Sequence, residues 1–376
     1  MARNGFLTSA VLSAARLPFR FRAKPVEPPR KALIFQPCCL GRVMLTTPLL
    51  AALSDAFPDA RFDWAISDWA LNAISSNPRI TRTIHSGPGD ITANSREEMR
   101  EFLETVRAAK YDTCFIPSRS SAMARIAWQA GIPQRIGLDA GGRGFTHTLP
   151  VRPPEGVQQS ALLYLSLAAA AGVDDAILRA AEMEFHPTDI DRTSVTRWLI
   201  EELDWLGDVP LVILHPGGGD NPLQTNLNKR WPVFRFARLA NHLVRHHKVR
   251  VIIVGTSKER PLADQVAGMM SFPADNRAGN IGLGELGALC ELASLYVGND
   301  IGSTYIAAAT GCPTLAIYGP TDPEIYAPYM VNGRVKMLWH PYTGEFDWTA
   351  GVTVEEAAKA AEELLAAYSL TSNPVD

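Results

Sequence analysis

The 376-residue chain has no uninterrupted apolar run of 18 residues or more, so no transmembrane helix is expected. It has only five cysteines: Cys38, Cys39, Cys114, Cys290 and Cys312. Their number is odd, none forms a C-x-x-C, and most lie in apolar segments, which reads as reduced thiols in a cytoplasmic protein. The clustered Cys/His spacing of a zinc site is missing, so no metal is expected. Neither G-x-x-x-x-G-K-[ST] nor G-x-G-x-x-G occurs, which argues against a Walker loop and a nicotinamide dehydrogenase. No charge sign dominates: Lys+Arg number 36, Asp+Glu 39, and the net charge is −3. A dedicated nucleic-acid binder would show a basic footprint instead.

What is present is an ordinary globular composition, with 47% hydrophobic and 20% charged residues. At roughly 100–200 residues per domain, the length suggests two domains. The charge is uneven. Residues 1–31 hold seven basic residues and the single acid Glu27, so with −3 overall and +6 here the remainder carries −9. Phe6, Leu7, Ala10, Val11, Ala14 and Leu17 fall on one helical face. Arg20, Arg22 and Lys24 follow, then Pro25, Pro28 and Pro29. This arm, residues 1–30, reads either as an amphipathic segment whose residues 1–24 rest on an anionic inner-membrane surface or as a loosely docked extension.

From Lys31 onward, short apolar runs alternate with helical patterns, the signature of a parallel sheet covered on both faces. Strands are expected at 32–36, 61–66, 81–85, 111–117 and 134–138. Helices are expected at 46–57, 69–75, 97–109, 122–130 and 159–171. A polar stretch, Phe185–Asp191, interrupts the alternation. It resumes with helices at 193–206, 234–246, 259–270, 284–293, 303–310 and 354–368, and strands at 211–215, 249–254, 295–297, 314–318 and 335–338. The expectation is an α/β protein with an N-terminal domain over 31–187 and a C-terminal domain over 188–376. Both would be doubly wound, with a ligand in the cleft between them at the carboxyl ends of the strands.

Three post-strand segments concentrate glycine, hydroxyl and charged residues. In the first, Gly41 allows close backbone approach, and Gly41, Thr46 and Thr47, just before Pro48 at a helix start, would stand on the acceptor side with Arg42 a ligand contact; otherwise the segment is a plain βα turn and Arg42 a solvated charge. In the second, three successive glycines, Gly217, Gly218 and Gly219, are costly in chain entropy and read as backbone lying against a ligand such as a phosphate. Lys229 downstream either neutralises that phosphate or sits on the surface. In the third, Asp300 precedes Gly302, Ser303 and Thr304 at the start of a small-residue helix, whose N-terminus suits an anion. Asp300 itself would bond a sugar hydroxyl or cap the helix. A nucleotide-sugar is the natural ligand of such a pair of domains.

Five motifs occur in order: Leu40–Leu50 (LGRVMLTTPLL), His215–Gly219 (HPGGG), Lys229–Pro232 (KRWP), Asn299–Thr314 (NDIGSTYIAAATGCPT) and Ile317–Pro323 (IYGPTDP). Together they resemble glycosyltransferase family 9, the ADP-heptose:lipopolysaccharide heptosyltransferase family. The resemblance implies a GT-B fold, inverting transfer of a heptose-like sugar from a nucleoside diphosphate sugar, ADP-linked, to a glycan or glycolipid, and no metal or further cofactor. It puts Lys229 near the donor phosphates and sugar, Thr225 in the donor-binding hydroxyl region just before that lysine, Asp300 on the donor sugar, and Gly302, Ser303 and Thr304 under the diphosphate. Tyr305 stands where the family commonly has histidine. Arg42 stands where the family has the aspartate proposed to deprotonate the acceptor. A guanidinium cannot accept that proton, so either another residue does, with Asp68 after the second strand as candidate, or the chain is a catalytically silent member that binds a nucleotide-sugar or a protein partner. Asp68 reads more simply as a helix cap before Trp69.

Overall fold

The computed structural model describes residues 26–331 and 333–372. The amphipathic reading of the N-terminal arm falls outside those residues, apart from 26–30. The chain divides into two compact units, Met1–Glu182 and Met183–Asp376. The break precedes the expected one after residue 187 because the intervening segment packs into the second unit. Met183 donates its amide to Tyr329 O, and the buried Phe185 ring lies against Gly287.

The first unit is built on β1 (Lys31–Phe35), β2 (Arg61–Ile66), β3 (Arg82–His85), β4 (Thr113–Ile116), β5 (Gln134–Leu138) and β6 (Leu149–Val151). They form one sheet in the order β3-β2-β1-β4-β5-β6, with parallel pairing throughout. That order is the doubly wound Rossmann pattern. Its central strands β1 and β4 are nearly continuous apolar runs because helices cover both faces. On one face Leu33, Phe35 and Ile116 pack with Phe102, Val106, Met123 and Ile126, which come from helices Arg96–Ala109 and Ser121–Gln129. The first of these helices begins with a reciprocal Ser95/Glu98 capping box.

The second unit repeats the winding. Its strands are β7 (Leu211–His215), the short hairpin β8 (Asp220–Asn221) and β9 (Gln224–Thr225), then β10 (Arg250–Ile253), β11 (Asp275–Asn276), β12 (Leu295–Asn299), β13 (Thr314–Ile317) and β14 (Val335–Leu338). The main sheet runs β11-β10-β7-β12-β13-β14, again wholly parallel. Side chains alternate across central β7. Val212 and Leu214 join the core with Phe236, Leu239 and Leu243. Leu211 and Ile213 join Val195, Leu199, Leu286 and Leu289 on the opposite face.

Several expectations change. The helix expected at 69–75 is only a 3-10 turn, Leu71–Ala73. The amides of Asp68 and Trp69 are instead drawn to Gly87 O and Pro88 O, so this stretch follows the neighbouring loop rather than a helical path. Leu40–Met44, where only a strand-to-helix link is expected, is a short helix. The helix expected from 193 starts at Asp189, because Thr188 and Asp191 cap each other reciprocally. The cysteine expectation is also corrected. Cys38 and Cys39 are joined by a disulfide, and the peptide bond between them is cis. Cys114, Cys290 and Cys312 are buried free thiols. Among the described residues no helix is long and apolar enough to cross a membrane.

Candidate functional site

In the second unit the central strands β7 and β12 lie side by side, with His215 opposite Gly298. Their carboxyl ends release the glycine loop and the Asp300 turn at the point where the winding reverses, where ligands of such sheets bind. Asn299, fully buried at the end of β12, holds this region together. Its Nδ2 donates to Pro216 O at 3.1 Å and Gly217 O at 2.9 Å. Its Oδ1 accepts the Trp231 amide at 2.9 Å. One amide side chain thus fixes the glycine loop, the Lys229–Trp231 segment and β12 relative to one another. Arg230 adds a second tie, donating from Nε to Gly218 O at 2.7 Å.

The three glycines are required by the chain's own packing. A Cβ on Gly217 would lie 2.3 Å from the Glu259 carboxylate. Gly218 has φ +101°, and a Cβ there would meet Ile301 Cγ2 at 1.8 Å. Gly219 has φ +81°, with Asn226 O at 2.3 Å from the Cβ position. The sequence reading attributed these glycines to a ligand. The close approaches seen are to Glu259, Ile301 and Asn226, which bring the loop onto the turn that carries Asp300.

Asp300 and Lys229 form the charged centre. Lys229 Nζ donates to Asp300 Oδ2 at 2.5 Å, with the two side chains 16% and 5% exposed. Tyr305 Oη donates to Asp300 Oδ1 at 3.1 Å and also meets Tyr326 O. Burial, with the nearby Asp300 charge, pushes the Tyr305 phenol well above its ordinary value, so it stays a donor. Asp300 does not cap the following helix, Gly302–Ala309, whose N-terminal flank at Ile301 makes no side-chain cap bond. Of the first-turn amides, that of Thr304 donates to Ile301 O at 3.1 Å; the start of a helix suits an incoming anion. Thr304 is not one of the hydroxyls available to it, because its Oγ1 donates to Asn299 O at 2.6 Å.

Ser303 belongs to a buried chain. Its Oγ lies 2.8 Å from His215 Nδ1 and accepts Tyr296 Oη at 3.0 Å. His215 Nε2 stands 3.5 Å from Glu259 Oε2. Burial alone would raise the Glu259 carboxyl. The contact with His215 and the amides of Thr256 and Gly218 outweigh it and hold Glu259 well below the usual carboxylate range. Thr225 lies on exposed β9, where its hydroxyl donates to Asp220 Oδ1 at 2.6 Å.

In the first unit, Gly41 and Arg42 lie in the helix Leu40–Met44. Arg42 is exposed, and its backbone carbonyl accepts Thr46 Oγ1 at 2.8 Å. Thr46 and Thr47 were expected to face an acceptor. Both are buried, and the Thr47 hydroxyl donates to Met44 O at 2.8 Å. The two hydroxyls turn back into the helix junction. Asp68 caps no helix; its Oδ1 lies 3.0 Å from His85 Nδ1. Among the described residues no cluster of three or more His, Cys, Asp or Glu is arranged to hold a metal.

The sequence assigns no role to three participants: His215 and Asn299, which stand inside two of the five motifs, and Glu259. His215 and Asn299 end apolar strands, a signal that was available. Glu259 opens a helix, where an acid ordinarily reads as a cap.

Comparison with known proteins places this geometry. The family model for glycosyltransferase family 9 (heptosyltransferase) matches residues 99–346. Lipopolysaccharide heptosyltransferase 2 of Escherichia coli (strain K12) is 25% identical over 319 residues, covering 82% of this chain and 88% of that protein. Lipopolysaccharide heptosyltransferase 3 of Escherichia coli is 26% identical over 309 residues, 78% of this chain and 84% of that protein. A glycosyl transferase family 9 structure from Veillonella parvula DSM 2008 superposes with TM-score 0.77 at 21% identity, over 92% of this chain and 99% of that one. The structure of E. coli ADP-heptose lps heptosyltransferase II gives TM-score 0.71 at 21% identity, over 90% and 99%. With a family model matched over residues 99–346 and two doubly wound parallel sheets, this chain belongs to glycosyltransferase family 9 and has the GT-B fold.

Proposed function

We propose that this protein is an inverting glycosyltransferase that moves a heptose-like sugar from a nucleoside diphosphate donor, ADP-linked, to a glycan or glycolipid acceptor. The observation that carries this reading is the Lys229–Asp300 pair beside the uncapped start of helix Gly302–Ala309. When the donor's bond to phosphate breaks, negative charge grows on the departing diphosphate. A lysine and a row of oriented amides stabilise that charge, an effect that often dominates enzymatic rate. Lys229 is engaged with Asp300 in this structure. Donor binding would let the ammonium share the diphosphate, while Asp300 accepts a hydrogen bond from a sugar hydroxyl. Heptose and ADP are supported by the names of the relatives and of the E. coli structure.

The test is a thermal-shift panel with ADP, UDP, GDP, dTDP and their sugar conjugates, followed by mass analysis of acceptor glycolipid incubated with the donor that binds. A nucleotide at about 100 times its Kd should stabilise the fold by about 2.7 kcal/mol, several degrees in melting temperature. ADP selectivity with transfer supports the reading. No shift with any nucleotide sinks it.

One observation favours a second reading, a catalytically silent binder: an exposed arginine stands at position 42, where the family's aspartate would sit. Transfer that appears only in Arg42→Asp would establish it. We place the protein in the cytoplasm, with the basic arm of residues 1–30 at the inner membrane face. Co-sedimentation with anionic but not neutral vesicles, lost on removing residues 1–24, is the expected result.

A further inference from the structure

The cradle at the carboxyl ends of β7 and β12 holds an acid where an anion is to bind. The Glu259 carboxylate lies 2.3 Å from the position a Cβ on Gly217 would take, and its Oε1 accepts the Gly218 amide. Its Oε2 accepts the Thr256 amide at 2.8 Å and hydroxyl at 2.9 Å. With its carboxyl held well below the usual range, Glu259 stays ionised directly against the glycine loop. Like charges brought close together away from bulk water repel strongly, so a diphosphate seated on this loop requires that charge to be cancelled. Among the described residues the ion-pair partner of Glu259 is His215, whose Nε2 stands 3.5 Å from Oε2. The other charged groups nearby offer no substitute. Lys229 and Asp300 pair with each other. Arg230 donates to Gly218 O at 2.7 Å, and Arg260 to Asn280 Oδ1 at 2.9 Å. Lys258 is exposed. Val254, Gly255 and Thr256, where β10 ends beside β7, bring no charge. Tyr296 of β12 meets the imidazole edge-on, and burial lifts its phenol well above the ordinary value, so it stays a donor.

The same imidazole decides what Ser303 can donate. Ser303 Oγ accepts Tyr296 Oη at 3.0 Å and lies 2.8 Å from His215 Nδ1. A carboxylate facing Nε2 keeps a hydrogen on that nitrogen whether the ring is neutral or charged. In the neutral ring Nδ1 is then an acceptor, and it takes the hydrogen of Ser303. In the imidazolium Nδ1 donates instead, so Ser303 accepts twice and its own hydrogen is released. Ser303 stands in the first turn of helix Gly302–Ala309, the end of a helix that attracts anions. Protonating His215 therefore cancels one negative charge behind the glycine loop and frees one donor at the helix start. Both changes favour a bound anion.

We infer, building on the nucleoside diphosphate reading above, that His215 is the counter-charge and positioning residue of the donor site, and that the nucleotide binds with His215 as the imidazolium. Where the free protein holds the ring neutral, binding takes up one proton from solvent, and release of the nucleotide returns it. His215 touches no ligand in this scheme. It acts through Glu259, whose charge it balances, and through Ser303, whose hydroxyl it turns.

The experiment is calorimetric titration of the full chain with the nucleoside diphosphate that binds, ADP on the reading above, in buffers of different ionisation enthalpy. It spans about pH 5–8, the range in which imidazoles change charge. Wild type, His215→Gln and His215→Gln/Glu259→Gln are compared, and uptake common to all three belongs to the nucleotide itself. Toward the alkaline end wild type should take up about one proton more per nucleotide than His215→Gln, and its Kd should rise by up to about tenfold per pH unit relative to that variant. His215→Gln should bind at least about tenfold more weakly than wild type at the acid end, and the difference should close as pH rises. The double variant, which lacks both charges, should recover affinity without the extra uptake. If His215→Gln does not fold, His215→Asn and the wild-type uptake, corrected for free ADP, carry the comparison. Equal uptake in wild type and variant, with nucleotide bound, overturns this inference alone. So does an affinity ratio that stays constant with pH, the mark of a merely structural histidine. A wild type that binds none of ADP, UDP, GDP and dTDP overturns the donor reading, and this inference with it.

Discussion

The two carboxylate oxygens of Asp300 serve different partners: Oδ2 takes the ammonium of Lys229, and Oδ1 the hydroxyl of Tyr305. Removing Lys229 therefore has two consequences that can be separated. Lys229→Ala strands a buried carboxylate, and destabilisation of about 3 kcal/mol is expected. It should also weaken donor binding about 10–100-fold, the range for one charge-assisted hydrogen bond. The double variant Lys229→Met/Asp300→Asn should regain much of the stability and none of the affinity. Melting temperatures with and without ADP read both effects.

Asn299 should be critical without touching any ligand. Asn299→Ala leaves the Trp231 amide and the carbonyls of Pro216 and Gly217 without their partners. Buried groups in that state cost about 1–3 kcal/mol each, so a total of about 3 kcal/mol is expected in urea unfolding. Nucleotide affinity should fall too, because the glycine loop and the lysine segment lose their common tether.

Gly218→Ala combines two penalties. The left-handed φ of +101° is poorly tolerated by alanine, and the new methyl overlaps Ile301 at 1.8 Å. Together these should cost about 3 kcal/mol. Ile301 adjoins Asp300, so a crystal structure of any folded variant should show the Lys229–Asp300 pair displaced.

Glu259 predicts a pH dependence. Its carboxyl is held below the ordinary range in the folded state, so the unfolded chain binds its proton more readily. Its contribution to stability is thus complete above the unfolded value, about 4.3. It fades as pH falls through the window between that value and the lower folded one. The stability gap between wild type and Glu259→Gln should be largest near neutrality and narrow steadily below about pH 4. Equilibrium unfolding across pH 2–7 tests this; a gap that widens in acid contradicts it.

Much of the architecture is legible because fully buried parallel strands leave a strong trace. Leu211–His215 stands where its apolar run puts it, and the Lys229 and Asp300 motifs meet at one sheet edge. What sequence does not carry is the direction a side chain takes once folded. Thr46 and Thr47 look like acceptor contacts, yet their hydroxyls bond to nearby carbonyls of their own chain. Asp68 looks like a cap until β3 brings His85 beside it. Asn299 looks like part of a turn, and only the pairing of β7 with β12 reveals three partners for its amide. The Trp69–Ser75 pattern failed for a similar reason, since local periodicity is outbid by carbonyls from a loop distant in sequence.

The tether formed by Asn299 bears on how a donor would bind. The glycine loop, the lysine segment and the start of the Gly302 helix are held in one arrangement by the chain's own bonds. A ligand entering there would have little chain left to order, so less of its contact energy would be spent against lost freedom. Binding by such a preformed cradle should change the backbone little, and its selectivity would come from shape and charge present beforehand. A donor with the wrong base or sugar would then be turned away by a rigid misfit rather than accommodated by a yielding loop.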